Sequence, residues 1–446
     1  MEEEKKSLLK FPEKLGYAGI GIADNVRTSF FGTFLLFFCT NVLGVRPGLI
    51  STLLSISIIW DAINDPLIAS YADNHPNKKG ERSRPYLFAS IPLALVLVLM
   101  FTRFSDSVVA CAVIIFVLNL LYSVFATMHR LPFYAMLILV SPYEKDRLSV
   151  NKYHFFGAGI GTAIGAVAMW PLIRLTAGVD GSGNLIHPER GFFLGALIVG
   201  GLLILLSLYH YFTTRERVFP QKQESTPFFE AVKTLFTDKQ FCLNTVMHFL
   251  SNATVSALTG YALYYTSYVL GNSALLTPLY AAYMLSNMIF IPFSNKLINK
   301  LGYKRSVIFG ALLLIAAEIP FVFLATSVAT GFILVVVAGV STSIFNIVLS
   351  LNRARIADGI EDNTGKRVDS MVSNVSSFAI KCGNSLLTLI FGWILEFSHY
   401  DGTLAVQPQS AVNGIIFIMG GLVIIFCLFI LLCSRGMKAE EENSKK

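Results

Sequence analysis

Long apolar runs alternate with short polar segments along the whole chain. A helix needs about 20 consecutive apolar residues to cross the hydrocarbon core of a bilayer, and the runs have this length. The pattern therefore predicts an all-α polytopic membrane protein in which each run is one transmembrane helix. We predict twelve transmembrane helices, at residues 17–43, 48–73, 85–103, 107–140, 149–174, 190–213, 241–270, 274–299, 305–326, 328–352, 368–397 and 411–434.

The longest polar stretch lies near the middle of the chain and divides the spans into two groups of six. Two six-helix bundles joined by a central loop are the arrangement of the major facilitator fold. We predict an N-terminal six-helix bundle at 1–212, a central cytoplasmic loop at 213–239, a C-terminal six-helix bundle at 240–435 and a cytoplasmic tail at 436–446.

Basic residues are concentrated in every second loop and at both chain ends. The loops after the even-numbered spans carry most of the lysines and arginines, whereas the opposite loops are nearly bare. Because cytoplasmic loops of membrane proteins are enriched in Lys and Arg, this asymmetry predicts that both termini are cytoplasmic. We expect a multi-pass protein of the cell inner (plasma) membrane.

The composition agrees with a polytopic membrane protein and disfavours soluble, nucleic acid-binding and enzymatic classes. Only 14% of the 446 residues are charged and 54% are hydrophobic, whereas soluble domains carry about 25% charged residues. The net charge of +7 is explained by the basic loops, so we expect no nucleic acid partner. Phosphate-binding, nucleophile-elbow and zinc-protease motifs are absent, and the six cysteines show no CxxC spacing. We predict no enzyme activity, no cofactor and a monomer whose partner is the lipid bilayer.

Span 2 carries two carboxylates and an amide, at Asp61, Asn64 and Asp65. Residues four apart lie on one face of a helix, and a charge in a membrane span costs at least about 2.5–3.5 kcal/mol. Two neighbouring carboxylates stay ionised only with a cation between them or share a proton, and hard oxygen ligands suit an alkali cation. The pattern predicts Na⁺ or a proton at Asp61 and Asp65. The alternative is a polar hinge at Pro66.

Spans 1 and 4 carry further charges. Asp24 and Arg27 are three residues apart on span 1, and Thr127 and Arg130 are three apart on span 4. An intramembrane arginine needs an anion, which either Asp24 or a substrate carboxylate supplies. For Arg130, a purely structural pair with Asp24 is an equal alternative. For Asp24 and Arg27, the alternative to a functional role is a mutually neutralising pair that only holds packing.

Three other polar or aromatic positions are candidates for substrate contact. His154 in span 5 faces either a cavity or the core, and Tyr264 belongs to a tyrosine stripe that suits sugar stacking or plain packing. Lys381 in span 11 needs a nearby acid, and a span 2 aspartate is the candidate.

Two segments resemble the glycoside–pentoside–hexuronide:cation symporters, the melibiose permease-like family of the major facilitator superfamily. They are IWDAINDP at 59–66 with GERSRPY at 80–86, and ADGIEDNTGKR at 357–367. The resemblance implies a cation site at Asp61, Asn64, Asp65 and Thr127. It also implies that Asp24 is a sugar-binding aspartate and that Lys381 is the family's span 11 lysine.

The chain departs from melibiose permease at two positions. Arg130 stands before LPFY, which ends at Tyr134, where that permease has an aspartate, and His154 replaces an arginine. The first change adds a fixed cation and favours an anionic sugar, such as a hexuronide or a sulfonated sugar, unless Arg130 only pairs with Asp24. The substrate-binding candidates are Asp24, Arg27, Arg130, Tyr134, His154, Tyr264 and Lys381.

These features together predict a cation-coupled symporter that imports a sugar or glycoside by alternating access, with Na⁺ as the coupling ion. An H⁺-coupled sugar symporter and a lipid or lysolipid transporter of the same fold are the alternatives. A membrane sensor or scaffold would tolerate loss of Asp61 or Asp65.

Overall fold

The computed structural model describes residues 8–74, 81, 84–181, 183–218, 235–364 and 369–437. Contacts divide the chain into two compact units, one of Met1–Gln223 with Asp401–Thr403 and one of Glu224–Tyr400 with Leu404–Lys446. Most of the predicted central loop lies outside the described residues, so the boundaries given above stay a prediction.

Six helical rods occur among the described residues of the first unit. They are α1 (Phe11–Phe37, lengthened by a π-helical turn, Phe38–Val42), α2 (Pro47–Asn74), α3 (Ser90–Met100, preceded by a 3₁₀ turn, Arg84–Ala89), α4 (Val108–Leu139), α5 (Glu144–Ala163, continued by a π-helical turn, Ile164–Ala168, and by Met169–Ala177) and α6 (Pro188–Thr213).

The described residues of the second unit form six more rods. They are α7 (Lys239–Gly260, continued by Ala262–Tyr264 and a π-helical turn, Tyr265–Val269), α8 and α9 (276–301 and 303–323 of the helix Leu276–Phe323), α10 (Val328–Thr364), α11 (Asp369–Phe397) and α12 (Gln409–Ile416, the π-helical turn Phe417–Gly421 and Leu422–Arg435). A short 3₁₀ turn, Ser273–Leu275, precedes α8.

The twelve rods of the described residues agree with the twelve predicted spans, and the all-α fold class is confirmed. Apart from an isolated bridge between Val179 and Leu185, these residues contain no β-structure. Eight helices of the described residues, with Ser273–Phe323 counted as one, are long and apolar enough to cross a membrane. The protein is therefore an integral membrane protein, as the hydropathy pattern predicts.

Gly302 separates α8 from α9. Its backbone has φ 77° and ψ 169°, outside the helical region. Glycine adopts positive φ without the steric penalty that a Cβ atom brings, so the two rods meet at this residue. The break agrees with the two spans that the sequence predicts at 274–299 and 305–326.

Helix pairing in the first unit determines which polar residues meet. α1 packs against α5 and α6, α3 packs against α4 and α6, and α2 packs against α4. Aromatic rings fill the core between these helices, at Phe30, Phe34, Phe38, Phe101, Trp170 and Phe192. Because α2 and α4 are neighbours, the acids of α2 lie beside hydroxyl residues of α4.

α1 and α5 approach each other closely through glycines. A Cβ atom at Gly157 would lie 2.0 Å from the carbonyl oxygen of Ala18, and one at Gly161 would lie 2.4 Å from that of Ile22. Small residues spaced four apart allow membrane helices to pack backbone to backbone. α5 thereby holds α1, which carries Asp24 and Arg27, at a short distance.

We expect Gly157→Ala to lower the thermal unfolding midpoint of the purified protein by about 2–10 °C, since overpacking costs about 1–3 kcal/mol. Gly159→Ala is the matched control on the same helix, because a Cβ there meets nothing within 4 Å. Fluorescence-detected thermal unfolding in detergent measures both variants. Equal midpoints for the two variants would contradict the close packing of α1 on α5.

In the second unit, the helix Leu276–Phe323 packs against α10 and α12, and α7 packs against α10, α11 and α12. Amide side chains link these helices: Asn352 Nδ2 on α10 donates to the buried Asn244 Oδ1 on α7 at 2.9 Å. Asn287 Nδ2 on α8 donates to Thr342 Oγ1 on α10 at 3.1 Å. Such interhelical hydrogen bonds hold membrane helices together where lipid provides no hydrophobic driving force.

Candidate functional site

Two acids of α2 face two hydroxyl residues of α4. Ser123 Oγ donates to Asp61 Oδ1 at 2.8 Å, and Thr127 Oγ1 donates to Asp65 Oδ1 at 2.7 Å. Thr127 Oγ1 also lies 3.3 Å from Asp61 Oδ1. Both pairs are four residues apart, so each occupies one face of its helix, and the earlier acid meets the earlier hydroxyl. The structure therefore brings together Asp61, Asp65 and Thr127, three of the four residues that the family resemblance names for a cation site.

Asn64 belongs to the same stretch of α2. Its side chain is buried, with 5% of its surface exposed, and its Nδ2 atom has no hydrogen-bond partner among the described residues. Leaving a buried amide N–H without a hydrogen-bond partner lowers the stability of the folded protein. Asn64 therefore adds a buried polar side chain to the stretch of α2 that carries Asp61 and Asp65, which are both half-buried.

A second polar cluster joins α1 to α4. Arg27 is buried, forms an ion pair with Asp24 on its own helix and donates to the hydroxyl of Tyr122 on α4. The Arg27 guanidinium also lies 5.3 Å from the centre of the Tyr122 ring, which stacks on Phe31 with centroids 4.4 Å apart. Arg27 is thus held by three side-chain contacts, one of which is the ion pair with Asp24.

Arg130 approaches the same aspartate from α4. Its Nε atom lies 3.9 Å from Asp24 Oδ2, while Asp24 Oδ1 pairs with Arg27. The Arg130 side chain is 38% exposed, whereas the Asp24 side chain is 23% exposed. Among the described residues, the Asp24 carboxylate therefore lies beside two guanidinium groups.

The remaining candidates of the first unit lie nearby or outside the described side chains. His154 on α5 is buried against α1, where its Nδ1 atom would lie 3.0 Å from a Cβ at Gly21, one turn before Asp24. His129, which precedes Arg130 on α4, is hydrogen-bonded through Nε2 to Ser207 Oγ on α6 at 2.8 Å. The side chain of Tyr134 lies outside the described residues.

Tyr264 and Lys381 belong to the second unit. The Tyr264 ring is fully buried between aromatic neighbours, with ring centroids 5.5 Å from Tyr261 and 5.5 Å from Tyr400. This position agrees with the packing alternative for the tyrosine stripe. Lys381 lies half-buried on α11. Its predicted pairing with a span 2 aspartate stays a prediction.

Two residues of the site were missed by the sequence interpretation, namely Tyr122 and Ser123. Both lie in an apolar run of α4 and neither carries a charge, so intramembrane charge alone does not mark them. The spacing of Ser123 and Thr127 repeats that of Asp61 and Asp65, but this match has a meaning only once α4 is known to pack on α2.

Comparison with known proteins agrees with this arrangement. A family model described as MFS/sugar transport protein matches residues 16–435. The chain belongs to this family. The predicted resemblance to melibiose permease-like symporters is confirmed, and so is the prediction that the protein is not an enzyme, because the family's members are transporters.

Individual family relatives and one solved structure are similar along most of the chain. The isoprimeverose transporter of Lactiplantibacillus pentosus is 24% identical over 416 residues, which cover 92% of this chain and 85% of that protein. The sodium-dependent lysophosphatidylcholine symporter 1 of Gallus gallus is 23% identical over 371 residues, covering 76% and 69%. The crystal structure of a D-xylose-proton symporter matches with a TM-score of 0.65 at 14% identity, covering 94% and 97%. This last similarity concerns the fold alone, and it agrees with the predicted major facilitator fold.

Proposed function

We propose that the protein imports an anionic sugar or glycoside together with Na⁺ by alternating access. The observation that carries the proposal is the pair Asp61 and Asp65 on α2, each hydrogen-bonded to its own hydroxyl on α4. We also propose that both termini are cytoplasmic, because the basic loops lie on their side of the membrane, and that the protein is a monomer of the inner (plasma) membrane.

The ion is inferred from the chemistry of this pair. Thr127 Oγ1 is within 3.3 Å of both acids, and like charges this close repel each other, so a cation between Asp61 and Asp65 stabilises them. The described groups in contact at the pair offer oxygen, namely two carboxylates and the hydroxyls of Ser123 and Thr127, and Asn64 carries an amide oxygen on the same stretch of α2. Hard monovalent cations favour oxygen ligands for the same reason as Ca²⁺ and Mg²⁺.

The substrate class is inferred from the charges of the second cluster. Arg27 and Arg130 share one carboxylate, that of Asp24. The planar guanidinium group binds carboxylate and other oxyanions with two parallel hydrogen bonds. A carboxylate or sulfonate group of the substrate adds a second anion beside these two guanidinium groups, while Asp24 accepts from sugar hydroxyls.

α4 couples the two sites. It carries Ser123 and Thr127 at the cation site, and Tyr122 and Arg130 at the substrate cluster. Sodium draws α4 and α2 together, which positions Tyr122 and Arg130 for the substrate. Each ligand then raises the affinity for the other, because such coupling is reciprocal, and rocking of one bundle against the other moves both.

A lysolipid transporter is the second candidate function. An apolar groove of about 310 Å³ lies on α2 and α4 beside the acids, lined by Ile56, Trp60, Phe116, Leu120, Leu121 and Val124. An acyl chain fits such a surface, and one relative is named as a lysophosphatidylcholine symporter. A proton is the second candidate ion, since paired carboxylates also share a proton.

Uptake by proteoliposomes tests these proposals. Labelled glucuronide, neutral glucoside and lysophosphatidylcholine are offered under an inward Na⁺ gradient at equal pH, or under an inward proton gradient with choline replacing sodium. We expect glucuronide uptake that depends on the Na⁺ gradient. Uptake with the proton gradient alone would favour H⁺ coupling, and uptake of the lysolipid alone would favour the second candidate function.

A further inference from the structure

Each carboxylate of the cation site has its own hydroxyl donor. A threonine hydroxyl carries one hydrogen, and the shorter contact of Thr127 is to Asp65, at 2.7 Å against 3.3 Å to Asp61. The hydrogen bond to Asp61 at 2.8 Å comes from Ser123. Ser123 therefore stands to Asp61 as Thr127 stands to Asp65, as a hydroxyl donor within hydrogen-bond distance.

Ser123 is also placed to bind a cation. Its side chain is 7% exposed, the same as that of Thr127, so both hydroxyls are withdrawn from bulk water. A hydroxyl that donates its hydrogen keeps two lone pairs. Ser123 Oγ directs its hydrogen to Asp61 Oδ1, so its lone pairs remain available to an ion held by the same carboxylate.

We propose that Ser123 is a ligand of the coupling cation and contributes to the choice between Na⁺ and Li⁺. This inference rests on the proposed function, because it needs a cation at Asp61 and Asp65. With Ser123, the α4 face supplies two hydroxyl oxygens one helical turn apart, and each stands opposite one carboxylate of α2. Larger hard cations take more oxygen ligands than smaller ones, so removing one oxygen weakens Na⁺ binding more than Li⁺ binding.

Cation titration of the purified full-length protein tests the proposal without any sugar. NaCl or LiCl replaces choline chloride at constant ionic strength and pH, and isothermal titration calorimetry gives the affinities. We expect Ser123→Ala to lower Na⁺ affinity about tenfold, to lower Li⁺ affinity less, and so to shift the Na⁺/Li⁺ ratio toward Li⁺. Ser123→Thr keeps the hydroxyl and should keep the Na⁺ affinity close to wild type.

Ser55→Ala is the matched control on α2. Ser55 is also buried, and its hydroxyl donates within the helix to the Ser51 carbonyl oxygen at 2.7 Å. If Ser123 only held α4 near α2, Ser123→Ala would lower the affinities for Na⁺ and Li⁺ by the same factor. Ser123→Cys separates the two roles if the alanine variant fails to fold, because sulfur fills the space but is a poor ligand for hard cations.

The outcomes distinguish this inference from the proposed function. If calorimetric titration of wild-type protein with NaCl detects no Na⁺ binding, the proposed sodium coupling is wrong and Ser123 has no cation to bind. If wild-type protein binds Na⁺ while Ser123→Ala keeps both the affinity and the Na⁺/Li⁺ ratio, the role of Ser123 as a ligand is wrong and sodium coupling stands.

Discussion

Replacing Asp65 by asparagine should reduce sodium-stimulated uptake about 100-fold or more, since removing one member of a partly buried charge arrangement costs several kcal/mol. The amide keeps the size of the side chain and an oxygen that accepts from Thr127. It removes one of the two negative charges that hold the cation. We therefore expect a folded protein that no longer responds to a Na⁺ gradient, measured as initial uptake rate in proteoliposomes.

Asp106→Asn is the control for this variant. Asp106 is fully exposed and lies 3.4 Å from Arg103, a surface pair of the kind that contributes little to stability. Its replacement should leave uptake unchanged. Sodium-stimulated uptake by Asp65→Asn at the wild-type rate would favour the polar-hinge alternative and a sensor or scaffold role for the protein.

Replacing Arg130 by glutamine should raise the KM for an anionic sugar about 10- to 100-fold, because it removes a charge-assisted contact to the substrate. Binding of a neutral glycoside should change little. The Asp24–Arg27 pair remains intact in this variant, so the helices keep their packing. Uptake or competition with matched pairs of sugars, such as a glucuronide and the corresponding glucoside, measures the difference.

The control for Arg130 is Arg103→Gln, which removes an exposed arginine paired with Glu189 at 3.0 Å, away from the cluster. Arg103→Gln should leave the KM for both sugars unchanged. If Arg130→Gln weakens the uptake of the charged and of the neutral sugar equally, Arg130 acts only as a structural partner of Asp24.

The spans are predictable from the sequence because hydropathy reports directly on the membrane. The predicted span 107–140 corresponds to α4, Val108–Leu139. Helix ends are less predictable, since polar residues also form helix outside the apolar region. α5 begins at Glu144, five residues before the predicted span, and α10 extends to Thr364, beyond the predicted end at residue 352.

The charged part of the site is predictable because a charge inside a membrane span is rare and expensive. This reasoning identifies Asp24, Asp61, Asp65 and Arg130. It does not identify Ser123, because a serine hydroxyl in a helix is usually bonded to its own backbone, as at Ser55. Only the packing of α4 on α2 distinguishes the two serines.

Equilibrium binding of radioactive sodium to the purified protein tests the central claim most directly. Wild-type protein should bind sodium at a single saturable class of sites, Asp61→Asn and Asp65→Asn should each lose that binding, and Asp106→Asn should retain it. Saturable sodium binding that persists in both aspartate variants would contradict a cation site between α2 and α4.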